Sequence, residues 1–258
     1  MKCFGKIMLL STLIFCLSSI AASSATLSVR SDSWPPYNDE PKSPKPGYMI
    51  QVLWEIFKSH GYVIDYDIMS WTDSLDAVRE GRFNAIVGAA KDDAPDFIFP
   101  QESFGLSDTA FFVKKGSAWR YDGPASYSKV KLGVIESYSY NEEVDVYLES
   151  SSGESVFVAT GDNPLLQLIQ MLRSGKIDVV VEDSNVMFNA LIDNNIALGE
   201  IVPAGRCEEI SDLYVAFSPA DPKSKELAEM FDAGIKELRQ KGKLQATLKL
   251  YGLKDWAK

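Results

Sequence analysis

The 258-residue sequence holds one histidine and three cysteines. Cys3 and Cys16 fall in the N-terminal segment, so Cys207 alone is left for the folded part. One cysteine forms no internal disulfide and no cysteine metal cluster. His60 sits beside Gly61 at the end of a helix-like run and reads as a helix-terminal residue, not as part of a histidine catalytic machine. The chain carries no phosphate loop, no GxSxG, no HExxH and no CxxC. No cofactor and no metal are therefore expected. Positive charge is also scarce: 26 Lys and Arg against 36 Asp and Glu, a net −10. That balance argues against nucleic acid and against anionic lipid surfaces. It suits a cationic partner, or simply a solvated acidic surface.

Long apolar runs are missing too, except at the start. Residues 1–25 carry Lys2 and Lys6, an apolar core "IMLLSTLIFCLSSIAA", and the small residues "SSA". A basic start, an apolar core and small residues at a cut site make a cleaved secretory signal. The core is short for a membrane anchor. Cleavage after Ala25 is expected, which places the protein in the periplasm. Loss of the two lysines makes the mature chain two units more negative.

What is present is a large apolar fraction, 46%, enough for one large or two smaller cores. Residues 26–31 and 62–68 read as strands, and "GYMIQVLWEIFKSHG" places apolar residues at helical spacing between them. "TDSLDAVREG" predicts a short helix capped by Thr72 or Asp73, and "RFNAIVGAA" a third strand. The pattern then restarts. Strands are expected at 129–135, in "SVFVAT" and in "KIDVVVED". Helices are expected in "SYSYNEEVDVYLES", with Ser139 and Glu142 at capping-box spacing, in "DNPLLQLIQMLRSG", and in "SNVMFNALIDNN". Alternating strands and helices predict an α/β protein whose two units each hold a mostly parallel sheet with helices on both faces. "TAFFVKKGS" (109–117) and "DLYVAFSP" (212–219) read as two strands crossing between the units. They predict a two-strand hinge with terminal helices returning to the first lobe. The expected lobes are 26–112 with 216–258, and 113–215.

In such sheets ligands sit beyond the carboxyl ends of the strands. The loops there carry Trp34 and Tyr37 in "SDSWPPYN", Trp71 in "MSWTD", Lys91 in "GAAKDDAPDF", Tyr138 and Ser139 in "ESYSY", and Asp183 in "EDSN". Trp34 and Tyr37 on a proline-stiffened turn make a platform for apolar or cationic groups, or cover the top of the core. Asp183, ending an apolar strand, meets a ligand cation or caps its own helix. The turn at 137–140 leads into a helix N-terminus suited to an anion, or is ordinary capping.

The order of these segments resembles the bacterial extracellular solute-binding proteins of family 3. The resemblance runs through "WPPYN", "GYMIQVLWEIFKSHGY", "SWTDSLDAVREGRFNAIVGA" (with Asn84 where Asp is usual), "FIFPQESF", "KLGVIESYSY", "GKIDVVVEDSNVMF" and "ELRQKGKLQATLKLYGL". It implies a two-lobed periplasmic-binding-protein fold, a monomer, and a non-enzymatic receptor. That receptor captures a small polar solute, an amino acid or a relative, for the membrane permease of an ABC transporter. By the resemblance, Tyr37 takes the aromatic contact of the first loop, Asp183 the partner of the α-ammonium, and Tyr138 with Ser139 the carboxylate loop.

One departure matters. The family usually has an arginine before "DFS" that grips the α-carboxylate with a two-pronged hydrogen bond. Here "AAKDDAPDFIFP" has none. Lys91 is a substitute point charge, while Asp92 and Asp93 repel a carboxylate; Arg79 and Arg120 are other anion partners. Two further readings stay open: a ligand sensor reporting to a membrane kinase or cyclase, and a dehydratase-like enzyme using Glu136, Asp92 or Asp183 as acid or base.

Overall fold

The structure is a computed structural model and describes residues 25–151 and 155–257. The expected leader, apart from Ala25, lies outside the described residues. The first unit is β1 (Ala25–Ser31), α1 (Tyr48–Lys58), β2 (Tyr62–Ile68), α2 (Trp71–Arg79) and β3 (Ala85–Ala89). β4 (Gly105–Lys114) leads into β5 (Leu132–Ile135), α3 (Glu142–Ser150), β6 (Val156–Ala159), α4 (Pro164–Ser174), β7 (Val179–Asp183) and α5 (Ser184–Asp193). β8 (Ile201–Phe217) returns, and α6 (Ser224–Gln240) and α7 (Lys243–Leu250) close the chain.

Among the described residues the strands run in the order β2-β1-β3-β8-β4-β7-β5-β6. β1 is parallel to β2 and β3, and β5 is parallel to β6 and β7. β8 is antiparallel to both β3 and β4, and β4 is antiparallel to β7. β8 is the strand shared by both groups. Ile201 to Leu213 pair with β4, and Tyr214 to Phe217 pair with β3. The crossover therefore sits between Leu213 and Tyr214.

Each group is covered on both faces, and strand alternation does the sorting. Ala85 and Val87 of β3 face the core that α1, α6 and α7 complete, while Ile86 and Ala89 face α2. Val179 and Val181 of β7 join the Phe111–Tyr127 core, and Val180 joins the core of α4 and α5. α1 buries Met49, Ile50, Val52, Leu53, Ile56 and Phe57. Full burial of such side chains is worth about 1.5–3 kcal/mol each, so this face anchors the first group.

The structure moves some elements from their expected places. β4 covers 105–114 rather than 109–117, because Lys115 and Gly116 form a turn. β8 begins at Ile201, eleven residues before the expected start at 212. Pro203 and Gly205 hide that start, and Pro203 is tolerated because the register with β4 shifts between Phe111 and Phe112. α2 is capped by Ser70, whose Oγ accepts from Asp73 N at 3.2 Å, not by Thr72 or Asp73. α3 is capped by Asn141 through Val144 N at 2.9 Å, and Ser139 donates instead to Asp145 Oδ2 at 3.1 Å.

Candidate functional site

A cavity of about 480 Å³ opens between the two strand groups. Its walls come from the carboxyl ends of the parallel strands and from the crossing strands. Asp32 and Trp34 follow β1, and Val87, Gly88 and Ala90 end β3. Glu182 and Asp183 end β7, and Ser137 to Glu142 follow β5. Ser107 and Thr109 of β4 and Ser211 and Leu213 of β8 form the floor. A positive φ of 82° at Gly88, where the β3–β8 register slips between Val87 and Ala89, puts a bulge under the Trp34 ring.

Trp34 lines the cavity with Tyr37 stacked behind it, centroids 4.3 Å apart and planes 22° apart. The platform is thus one ring backed by another. Tyr37 itself, expected to contact a ligand, does not line the cavity. It is 1% exposed, and its hydroxyl lies 2.8 Å from Leu106 O and 3.1 Å from both Asp183 oxygens. It also accepts from Asn185 Nδ2 at 2.9 Å. Burial, with the Asp183 charge second, holds this phenol far above its ordinary range, so it stays a donor.

Asp183 does border the cavity, and it also caps α5. Oδ1 accepts from Asn185 N and Val186 N at 2.8 and 3.1 Å. Oδ2 accepts from Asp108 N at 2.9 Å and Ser107 Oγ at 3.2 Å. Its lone pairs are occupied by groups from α5, β4 and the first loop, so its main task is to join the strand crossing to the helix. The capping alternative is what the geometry displays.

Lys91, the expected substitute charge, also lies off the cavity lining. It is exposed, with Nζ 4.7 Å from the centroid of the Tyr214 ring. The other basic candidates are elsewhere too. Arg79 pairs with Asp96 and Asp76, and Arg120 donates to the carbonyls of Ser117 and Trp119. Trp71, Tyr138 and Ser139 do line the cavity, joined by Tyr140. Glu136 does not, whereas Asp92 does.

The sequence reading passed over Glu182, Asp32 and Asp145, and named Asp93 only as repelling a carboxylate. Glu182 is 1% exposed; Oε1 accepts from Asp183 N at 2.8 Å, and Oε2 has no hydrogen-bond partner among the described residues. Burial first, then the charges of Asp183 and Asp32, push it up to about 8, against partial relief from the Asp183 amide and the Trp34 side chain. Asp32 is pushed up to about 6 by burial, with relief from its own amide and the Ser31 hydroxyl. Asp93 is raised by burial and then by Asp145 and Asp92, and Asp145 is raised by burial. One signal for Glu182 was available. It shares a strand face with Val180, so an acidic side chain there must enter the interior. Asp32, Asp93 and Asp145 carry no such signal, since each lies in or beside a loop.

The sequence profile of the bacterial extracellular solute-binding proteins, family 3, matches residues 27–254. The L-cystine-binding protein TcyA of Bacillus subtilis (strain 168) is 20% identical over 232 residues, spanning 86% of this chain and 78% of TcyA. A chain from a structural study of glutathione import via GshT and the cystine ABC importer TcyBC of Streptococcus mutans superposes with a TM-score of 0.74. It is 16% identical and covers 92% of this chain and 98% of its own. A histidine kinase sensor domain with similarity to periplasmic binding proteins superposes at 0.71, with 19% identity over 89% and 98% of the two chains. These matches agree with the two-group α/β architecture, and the chain belongs to the bacterial extracellular solute-binding proteins, family 3.

Proposed function

We propose that this solute-binding protein is exported, captures a small polar solute between its two strand groups, and presents the closed form to the membrane permease of an ABC importer. The observation that carries the reading is the cavity, whose walls come from both groups and whose floor is the crossing strands β4 and β8. A solute held there contacts both sides, which is the condition for shifting an open form to a closed one. The likeness to an L-cystine-binding protein, TcyA, supports the class of solute, a small polar metabolite. Its relatives are binding proteins, and we read this chain as a receptor and not as an enzyme. The periplasm, entry by a cleaved leader, a monomeric state and lobes meeting near 105–113 and 212–216 belong to the same proposal.

In this reading Trp34, Trp71, Tyr138 and Ser139 touch the solute, and Asp183 supports the wall behind it. Calorimetry on the mature protein with amino acids, amines and small peptides tests it, with X-ray scattering on the same samples. Binding accompanied by a smaller radius of gyration is expected. No heat with any polar solute would refute the receptor reading. Crosslinking in native membranes separates the roles: capture of a permease supports transport, and capture of a kinase supports sensing.

A further inference from the structure

The cavity has an unusual charge pattern. Asp32, Asp92, Asp93, Glu142, Asp145, Glu182 and Asp183 line it, and among the described residues no Lys, Arg or His does. Two carboxylate pairs draw on both strand groups: Glu182 feels the charge of Asp32, and Asp93 that of Asp145. Asp32 comes from the loop after β1 and Glu182 from β7. Asp93 comes from the turn after β3 and Asp145 from α3. Each pair takes one member from each strand group, and closure of the cleft pushes like charges together. Glu182 Oε2 is buried at the wall with its lone pairs unused among the described residues. Trp34, Tyr138 and Tyr140 also line the cavity, and Tyr140 feels charges from both pairs, Glu182 and Asp145.

An α-carboxylate has no cationic partner in this wall among the described residues. Lys91 lies over Tyr214, Arg79 is paired with aspartates, and Arg120 is bound to backbone carbonyls. The N-terminus of α3 is no substitute. Its first turn carries Glu142, Glu143 and Asp145, and Asn141 already accepts from Val144 N.

We propose that the cavity takes a carboxylate-free organic dication, a linear diamine, with one ammonium between Asp32 and Glu182 and the other between Asp93 and Asp145. The ligand supplies the missing counter-charge to both pairs, and its methylene chain lies against the Trp34, Tyr138 and Tyr140 rings. Closure is then conditional on charge. Once these carboxyls are ionised, a cation that reaches both pairs relieves their repulsion and favours the closed form. This inference rests on the receptor reading and narrows its solute.

Calorimetry at pH 8 on the full mature protein, with putrescine, cadaverine, butylamine, L-lysine and L-glutamine as probes, tests it. The diamines are expected to bind at least about tenfold more tightly than butylamine and both amino acids. Glu182→Gln and Asp93→Asn, checked for folding by circular dichroism, should each bring the diamine down to the butylamine level. Tighter binding of lysine or glutamine than of any diamine would overturn the dication and leave the receptor reading standing. Diamine affinity unchanged in both variants would overturn the placement. No binding by any probe would refute the dication and count against the receptor reading as well.

Discussion

Replacing Glu182 by glutamine should stabilise the empty protein, and more so as pH rises. Glu182 is buried, and its carboxyl is raised from 4.5 to about 8. A folded-state value above the unfolded one means that the folded protein binds more protons between those values. Its stability is therefore present in full below the unfolded value and lost as pH rises through the folded one. A shift of that size corresponds to a ceiling of about 5 kcal/mol at 1.36 kcal/mol per unit. Between pH 5 and pH 9 the wild type should lose about 4 kcal/mol relative to the variant, by the same linkage. For a chain of this size that is roughly 8–16 °C in Tm. Urea unfolding of both proteins at pH 5, 7 and 9 measures it. The variant keeps the side-chain shape and an acceptor for Asp183 N, so the difference reports the charge. Parallel stability curves over that range would refute the buried, uncompensated state of Glu182.

Three further outcomes follow from the same geometry. Diamine binding should tighten by roughly tenfold or more from pH 6 to pH 8, because Glu182 must ionise first. It faces Asp32 and Trp34 from the first loop, Tyr138 and Tyr140 from the loop after β5, and Asp183 beside it. Calorimetry in buffers of different ionisation heat should show proton release near pH 7, and none in Glu182→Gln. Asp183→Ala should cost about 3 kcal/mol in unfolding free energy, since it strands the α5 amides and the Asp108 amide, and a loss under 1 kcal/mol by urea titration would refute its joining role. Tyr37→Phe should cost about 1 kcal/mol and leave diamine affinity within a few fold, because the ring stays behind Trp34 while its hydroxyl is lost. A large drop in affinity by calorimetry would place Tyr37 in the cavity after all.

The elements were readable in the chain because their cues are local. The apolar spacing of Met49 to Phe57 demands a helix, and Asn163, Pro164 and Gly175 bracket α4 as they would in an isolated peptide. The run of valines at 179–181 demands a buried strand. Such cues depend on neighbours within a few residues, so no fold is needed to see them. Trp34, Trp71, Tyr138 and Ser139 were likewise visible as loop residues at strand ends, where an open α/β sheet places its ligands. The length of β8 was not visible, because Pro203 and Gly205 are tolerated only through a register shift against β4.

The electrostatics of the site needed the tertiary structure. A carboxylate is an ordinary surface group until the fold sets its burial and its neighbours. Asp32 and Glu182 lie 150 residues apart in the chain, and Asp93 and Asp145 lie 52 apart, yet all four line one cavity. Tyr37 and Lys91, which loop position and the family resemblance marked for the ligand, instead contact Asp183 and Tyr214. The local chain chose helices and strands, and the packing of two strand groups around β4 and β8 chose which side chains meet. Charge pairing is a long-range property, and only the closed path of the chain through space brings those carboxylates together.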